Sequence, residues 1–314
     1  MADLHAENLV QIPQNSSGKK HQATQSPQGR ATSDPNSTPE DLRGLACDRL
    51  AAYPVRMTPV QTLGLFGAAC AAGVINSIAG GGTLITFPFL IFLGVPPVVA
   101  NATSTMALVI GTSGTVYGYR SHLSSVRSWF GILIPVSIAG GWIGSYLLTF
   151  GGDRIFAGLV PYLILFATLL FMGQGAIRSR LTRRGDAGEL ATHPRRHRVA
   201  ALLFQFLVSI YGGYFGAGIG ILMLAALGIL GFKNIHAMNA LKSLLGLLIN
   251  ITAALWFAAE GLVDWKIAGI MTAGSILGGY YGSTWAQTLP QSRVRTLITL
   301  TGLAITAAMF WKFH

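Results

Sequence analysis

Gly140-Gly141-Trp142-Ile143-Gly144-Ser145 returns later in the chain as Gly278-Gly279-Tyr280-Tyr281-Gly282-Ser283. The echo extends outward from that stretch. Gly94 and Asn101 reappear as Gly231 and Asn239, an offset of about 137 residues. Each copy lies among long apolar runs and follows a glycine-rich break, Gly80-Gly81-Gly82 in the first and Phe215-Gly216-Ala217-Gly218-Ile219-Gly220 in the second. Duplicated apolar halves, each interrupted at the matching place, point to a helical membrane protein in which broken helices surround a solute site.

Composition agrees. Of 314 residues 51% are apolar and only 11% charged, against roughly a quarter charged in soluble domains. Apolar runs of roughly 20 residues, the length that crosses a hydrocarbon core as helix, recur from residue 60 onward. An all-α polytopic fold follows, because the sequence has too little polar material to cover so many apolar runs in water.

The formal charge of +11 does not signal nucleic-acid binding once its position is considered. Seven arginines fall between Arg178 and Arg198, where the net charge is +5, in a polar linker between two apolar runs. The positive-inside rule places that 178–198 linker in the cytoplasm, and anionic headgroups of the lipid bilayer are its natural contact. Residues 1–57 are rich in Ser, Thr, Gln, Asn and Pro, with six basic and six acidic residues, a composition expected to stay disordered. The chain divides into this tail, a first membrane repeat at 58–177, the linker, and a second repeat at 199–314.

Within the first repeat the apolar pieces are 60–79, 84–94, 98–118, 129–150 and 155–177; in the second, 199–213, 217–230, 238–258, 265–286 and 293–312. The second piece of each repeat is too short for a comfortable crossing. Five crossings per half make the repeats inverted and four make them parallel. Arg120 and Arg127 in one loop, against Glu260 and Asp264 in its counterpart, favour inversion. Trp129, Trp256, Trp265, Trp285 and Trp311 fall near segment ends, as interfacial belt residues do. Gly140xxxGly144 and Gly278xxxGly282 read as close helix contacts.

Several residues are candidates for chemistry. A helix interrupted in the membrane exposes N–H groups, and its N-terminus carries partial positive charge. Gly80, Gly81 and Gly82, with Gly216 and Gly218, either present such groups to an anion or permit tight packing. Asn101, Thr103, Ser104 and Thr105 recur as Asn239, Lys242 and Ser243, so Ser104 stands opposite Lys242. Lys242 either snorkels to the interface or faces inward as a point charge for an anion. Asn101, Ser104 and Asn239 would then donate hydrogen bonds to oxyanion oxygens. Asn76 and Asn250 are further candidates that could equally brace helices.

No Asp or Glu falls well inside a membrane piece, so a carboxylate proton relay is not visible. Cys47 and Cys70 show no metal-ligand spacing. The GxGxG string at Gly216–Gly220 lacks the Lys-Ser/Thr of a phosphate loop. No cofactor is called for. Gly111-Thr112-Ser113-Gly114 matches a GxSG intramembrane-protease pattern, but His122, His236 and His314 all lie in loops or at the terminus, away from Ser113.

Taken together, Gly73-Val-Ile-Asn76-Ser-Ile-Ala-Gly80-Gly81-Gly82 through Pro88, Gly94-Val-Pro96, Ala100-Asn101-Ala-Thr103-Ser104, Gly212-Gly213-Tyr214 through Gly220, and Asn239-Ala-Leu-Lys242 resemble the TauE/SafE family of membrane permeases. The resemblance covers about residues 60–312. It implies a carrier in the bacterial inner membrane for a small sulfur-containing anion, such as sulfite or an organosulfonate, moved outward by alternating access. A coupling proton or ion would be its second partner. A passive anion channel is the alternative.

Overall fold

A computed structural model describes residues 57–78, 81–118, 120–184, 195–230, 232, 234–285 and 291–313. The 1–56 part of the tail, Gly80, Gly231 and the 185–194 part of the linker lie outside the described residues. Among the described residues all regular structure is helical. In chain order the helices are α1 (Pro59–Ile78), α2 (Thr83–Phe92), α3 (Pro97–Gly118), the single turn α4 (Arg120–Leu123), α5 (Phe130–Arg184), α6 (Arg195–Tyr214), α7 (Ile219–Ile229), α8 (Ile235–Ala259), α9 (Trp265–Trp285) and α10 (Gln291–Phe313). A 3₁₀ stretch, Ser124–Trp129, leads into α5.

The apolar pieces read from the sequence become helices with two corrections. The pieces 129–150 and 155–177 are not separated by a loop. They form the two arms of α5, divided at one residue, Gly152, whose φ of 67° and ψ of −179° leave the helical region. Glycine alone takes that conformation without a Cβ clash. The linker is also shorter than 178–198, because α5 runs to Arg184 and α6 begins at Arg195. Arginine and leucine are good helix formers, so the helices continue past the apolar residues.

Among the described residues three stretches are long and apolar enough to cross a membrane: Pro59–Asn76, Ser124–Gly173 and Ala237–Ala259. The second, at 50 residues, contains both arms of α5. Helix α3 is less apolar because it carries Asn101, Thr103 and Ser104, all three buried. The polarity is turned inward. The outside is apolar instead, with Leu63, Phe92, Trp142, Leu203, Leu255, Tyr280 and Leu300 all exposed. Such a continuous apolar exterior suits lipid rather than water. The molecule is an integral, multi-pass membrane protein.

Starting points of corresponding helices recur at an offset of 135 to 138 residues, from α1/α6 through α2/α7 and α3/α8 to the 153 arm and α10. Packing is reciprocal: α1 lies on α9, and α5 on α6; α3 lies on α9, and α5 on α8. The glycine pairs make these contacts. A Cβ at Gly144 would strike the Ile210 carbonyl on α6, and one at Gly278 the Cys70 carbonyl on α1. Helix α3 meets α8 directly, and the two run in opposite directions. At one end Val98 N–H donates to Asp153 Oδ1 (2.9 Å) while Trp256 Nε1–H donates to Thr149 Oγ1 (3.2 Å). At the other end Trp129, closing the 3₁₀ stretch that follows α3 and α4, packs at a tilt against Phe232, just before α8, with centroids 5.2 Å apart. Trp129 and Trp256 are therefore partly buried packing residues, whereas Trp265 and Trp311 are exposed.

Candidate functional site

Both halves break where glycines replace side chains. Helix α1 stops at Ile78 and α2 starts at Thr83; α6 stops at Tyr214 and α7 starts at Ile219. The resumed helices have 10 and 11 residues, so each extends about 15 Å, half the hydrocarbon thickness. In the second break Gly216 (φ 78°) and Gly218 (φ 75°) both occupy left-handed conformations. Tyr211 closes that turn, donating its hydroxyl to the Ala217 carbonyl at 2.7 Å. In the first break no such conformation is seen among the described residues. There the glycines make room: a Cβ on Gly81 would strike the Phe171 ring, and one on Gly82 would lie 2.7 Å from the Ala72 carbonyl.

Between the breaks is a cavity of about 60 Å³, where a single water needs roughly 10–15 Å³. It suits a small solute. Asn76 on α1 and Gly81 and Thr83 at the first break line it on one side; Phe215, Gly216, Ile219, Gly220 and Met223 line it from the second. Helix α3 contributes Thr105, Leu108 and Thr112, and α8 contributes Lys242, Ser243, Gly246 and Asn250. These steps of three to four residues are one face of each helix. Asn76 Nδ2–H donates to Thr112 Oγ1 (3.0 Å), and the Thr112 hydroxyl donates back to the Leu108 carbonyl (2.8 Å).

Three sources of positive charge converge here. Lys242 brings a basic side chain, and the N-termini of α2 and α7 about half a positive charge each. The α7 start is at the wall through Ile219 and Gly220, and the α2 start through Thr83. No carboxylate is among the lining residues. Hydroxyls at Thr105 and Ser243 and amides at Asn76 and Asn250 stand ready to hydrogen-bond oxygen atoms.

Of the residues singled out in the sequence, Gly81, Gly216 and Lys242 line the cavity, as do Asn76, Thr105, Ser243 and Asn250. Gly82 and Gly218 do not; Gly82 is packed on α1, and Gly218 caps α7 beside Ala167 and Leu170 of α5. Asn239 is half-buried in the first turns of α8, off the lining. Asn101 and Ser104 are buried and off the lining. Asn101 Nδ2–H donates to the Tyr214 carbonyl (3.2 Å), and Ser104 shares a 2.6 Å hydrogen bond with Thr86. Thr112 and Gly246 were missed. The repeat could have revealed them: at an offset of 138 residues, Thr105 pairs with Ser243, Leu108 with Gly246 and Thr112 with Asn250, and all six line the cavity.

Ser113, the serine of the GxSG string, is exposed on α3 and donates to the Ile110 carbonyl of its own helix at 2.6 Å. Among the described residues no group of three or more His, Cys, Asp or Glu gathers for a metal ion.

Comparison with known proteins adds to this geometry. The chain is 32% identical over 80% of its length to a "Probable membrane transporter protein" of Haemophilus influenzae, covering 96% of that protein. It is 29% identical over 77% of its length to "Probable membrane transporter protein ORF9" of Sinorhizobium, covering 89% of it. Against "Probable membrane transporter protein YfcA" of Escherichia coli K12 the identity is 28%, over 80% of this chain and 90% of the relative. No solved structure matches the chain significantly. The family model "Sulfite exporter TauE/SafE" matches residues 65–309, a span that takes in both breaks, the cavity and every helix that lines it, and the protein is thus a membrane transporter of the TauE/SafE family.

Proposed function

We propose that this protein is a secondary transporter that exports a small sulfur-containing oxyanion, sulfite or an organosulfonate, across the bacterial inner membrane. The observation that supports it most is the convergence of Lys242 with the starts of α2 and α7 on one small cavity. Two half-helix N-termini and a lysine offset an anion's charge where water is scarce. Thr105, Ser243, Asn76 and Asn250 would hold its oxygens.

In this reading the halves are inverted repeats, as the opposite directions of α3 and α8 suggest, and they rock about the cavity to expose it alternately. The arginine-rich linker faces the cytoplasm. The sulfur in the substrate is suggested by the matched family's description; the geometry itself speaks only for a small anion.

Sulfite flux in proteoliposomes tests this. A carrier shows trans-stimulation, with sulfite on the far side accelerating exchange. Flux unaffected by trans substrate would point to a passive channel. No sulfite or sulfonate flux at all, while other anions move, would overturn the substrate class.

A further inference from the structure

A second set of polar contacts, made by residues off the cavity lining, joins the two breaks. Asn101 on α3 is 1% exposed. Its Nδ2–H is committed to the Tyr214 carbonyl at the end of α6, and this fixes which way the amide points. The other end, Oδ1, is buried and has no hydrogen-bond partner. An orphaned buried carbonyl oxygen costs about 1–3 kcal/mol, so it needs something positive or hydrogen-bearing beside it.

One turn along the same face of α3 sits Ser104, buried with Thr86 of α2. Their hydroxyls are 2.6 Å apart, and Thr86 Oγ1 is also 3.2 Å from the Gly82 carbonyl at the first break. Two hydroxyl oxygens carry four lone pairs and only two hydrogens between them. This set is therefore rich in acceptors. It also borders the carbonyl end of α6, which carries partial negative charge. At the start of α3 the Asp153 carboxylate accepts from Val98 N–H (2.9 Å).

We propose that Asn101 Oδ1, with the hydroxyls of Ser104 and Thr86, forms a binding site for a small monovalent cation, Na⁺ in size and hardness, that couples to transport. Hard cations take neutral oxygen ligands of this kind, and unwound helix ends supply them in membrane carriers. The site touches both breaks through the Gly82 and Tyr214 carbonyls. Occupancy there biases the geometry of the walls that hold the anion, and the coupling is reciprocal. The coupling role rests on the transporter reading; the cation site stands apart from it.

The test is thermal unfolding of the purified full-length protein in detergent, at fixed pH and ionic strength, in NaCl, LiCl or choline chloride. Sodium is expected to raise the wild-type midpoint by about 2–4 °C or more over choline. Ser104→Ala and Asn101→Ala are expected to lose that difference. Asn101→Asp adds charge to the same oxygen position and is expected to retain the difference and reach half its effect at lower sodium. Ser104→Ala leaves the Asn101–Tyr214 bond in place, so it reports on the site even where Asn101→Ala folds poorly. Identical midpoints in sodium, lithium and choline for the wild type would overturn the proposal, leaving water as the occupant. A sodium shift that survives unchanged in both Ser104→Ala and Asn101→Ala would overturn the location. A sodium shift without any response to sulfite would sink the anion reading alone.

Discussion

The two glycine breaks occupy equivalent places and use glycine for different reasons. At the first, Gly81 and Gly82 are small because Phe171 and Ala72 press against them. At the second, Gly216 and Gly218 are glycine because their φ values of 78° and 75° are left-handed. The same contrast separates Ser104 from Lys242. These residues stand at matching positions of α3 and α8, yet Ser104 is buried against Thr86 while Lys242 lines the cavity. Duplication supplies a matched scaffold. Divergence at single positions then puts a lysine on the cavity in one half and a buried hydroxyl pair in the other.

Four experiments would break or sharpen that contrast. Lys242→Ala should have the largest effect. Removing a charge-assisted hydrogen bond costs about 1.5–3 kcal/mol, about 10- to 100-fold in anion affinity, and Lys242→Arg should restore part of it. Anion binding measured by calorimetry decides; unchanged affinity in the alanine variant would take Lys242 out of the site. Next, Gly216→Ala should destabilise the protein by about 1–2 kcal/mol, the strain of a left-handed non-glycine residue. Gly218→Ala should cost as much even though Gly218 is off the cavity. Thermal midpoints in detergent report this, and a pair of neutral variants would refute the conformational argument.

The first break should answer to size instead. Gly81→Ala places a Cβ against the Phe171 ring, and the double variant with Phe171→Leu should recover stability. No rescue would mean that the packing account is incomplete. Smallest should be Asn76→Ala and Asn250→Ala, at about 1 kcal/mol or about 5-fold in anion affinity each. Asn76 already bonds Thr112, so its loss should also lower the midpoint, and that of Asn250 should not.

Much of the scaffold could be read directly. Apolar runs bounded by glycine and charge gave helix positions to within a few residues, because a helix satisfies its backbone locally and leaves little choice in lipid. Gly152 was harder. A single left-handed glycine turns one helix into two without any polar loop to mark it. The candidate site was legible only in part. Lys242 and the glycines announced themselves by chemistry, but Asn101 and Ser104, equally polar, are buried off the lining that Lys242 joins.

The chain by itself determined that there are two related sets of helices, each broken once, with an apolar exterior and a lysine in an otherwise uncharged run. Length, polarity and repetition are local properties, and residues carry them wherever the helices go. Which polar side chains meet was decided by tertiary structure alone. Thr112, Gly246 and Asn250 line one cavity, and Asn101 is left holding Tyr214, because α3 and α8 are seated by contacts such as Gly111 on Ser275 and Gly141 on Ile249, between residues far apart in sequence.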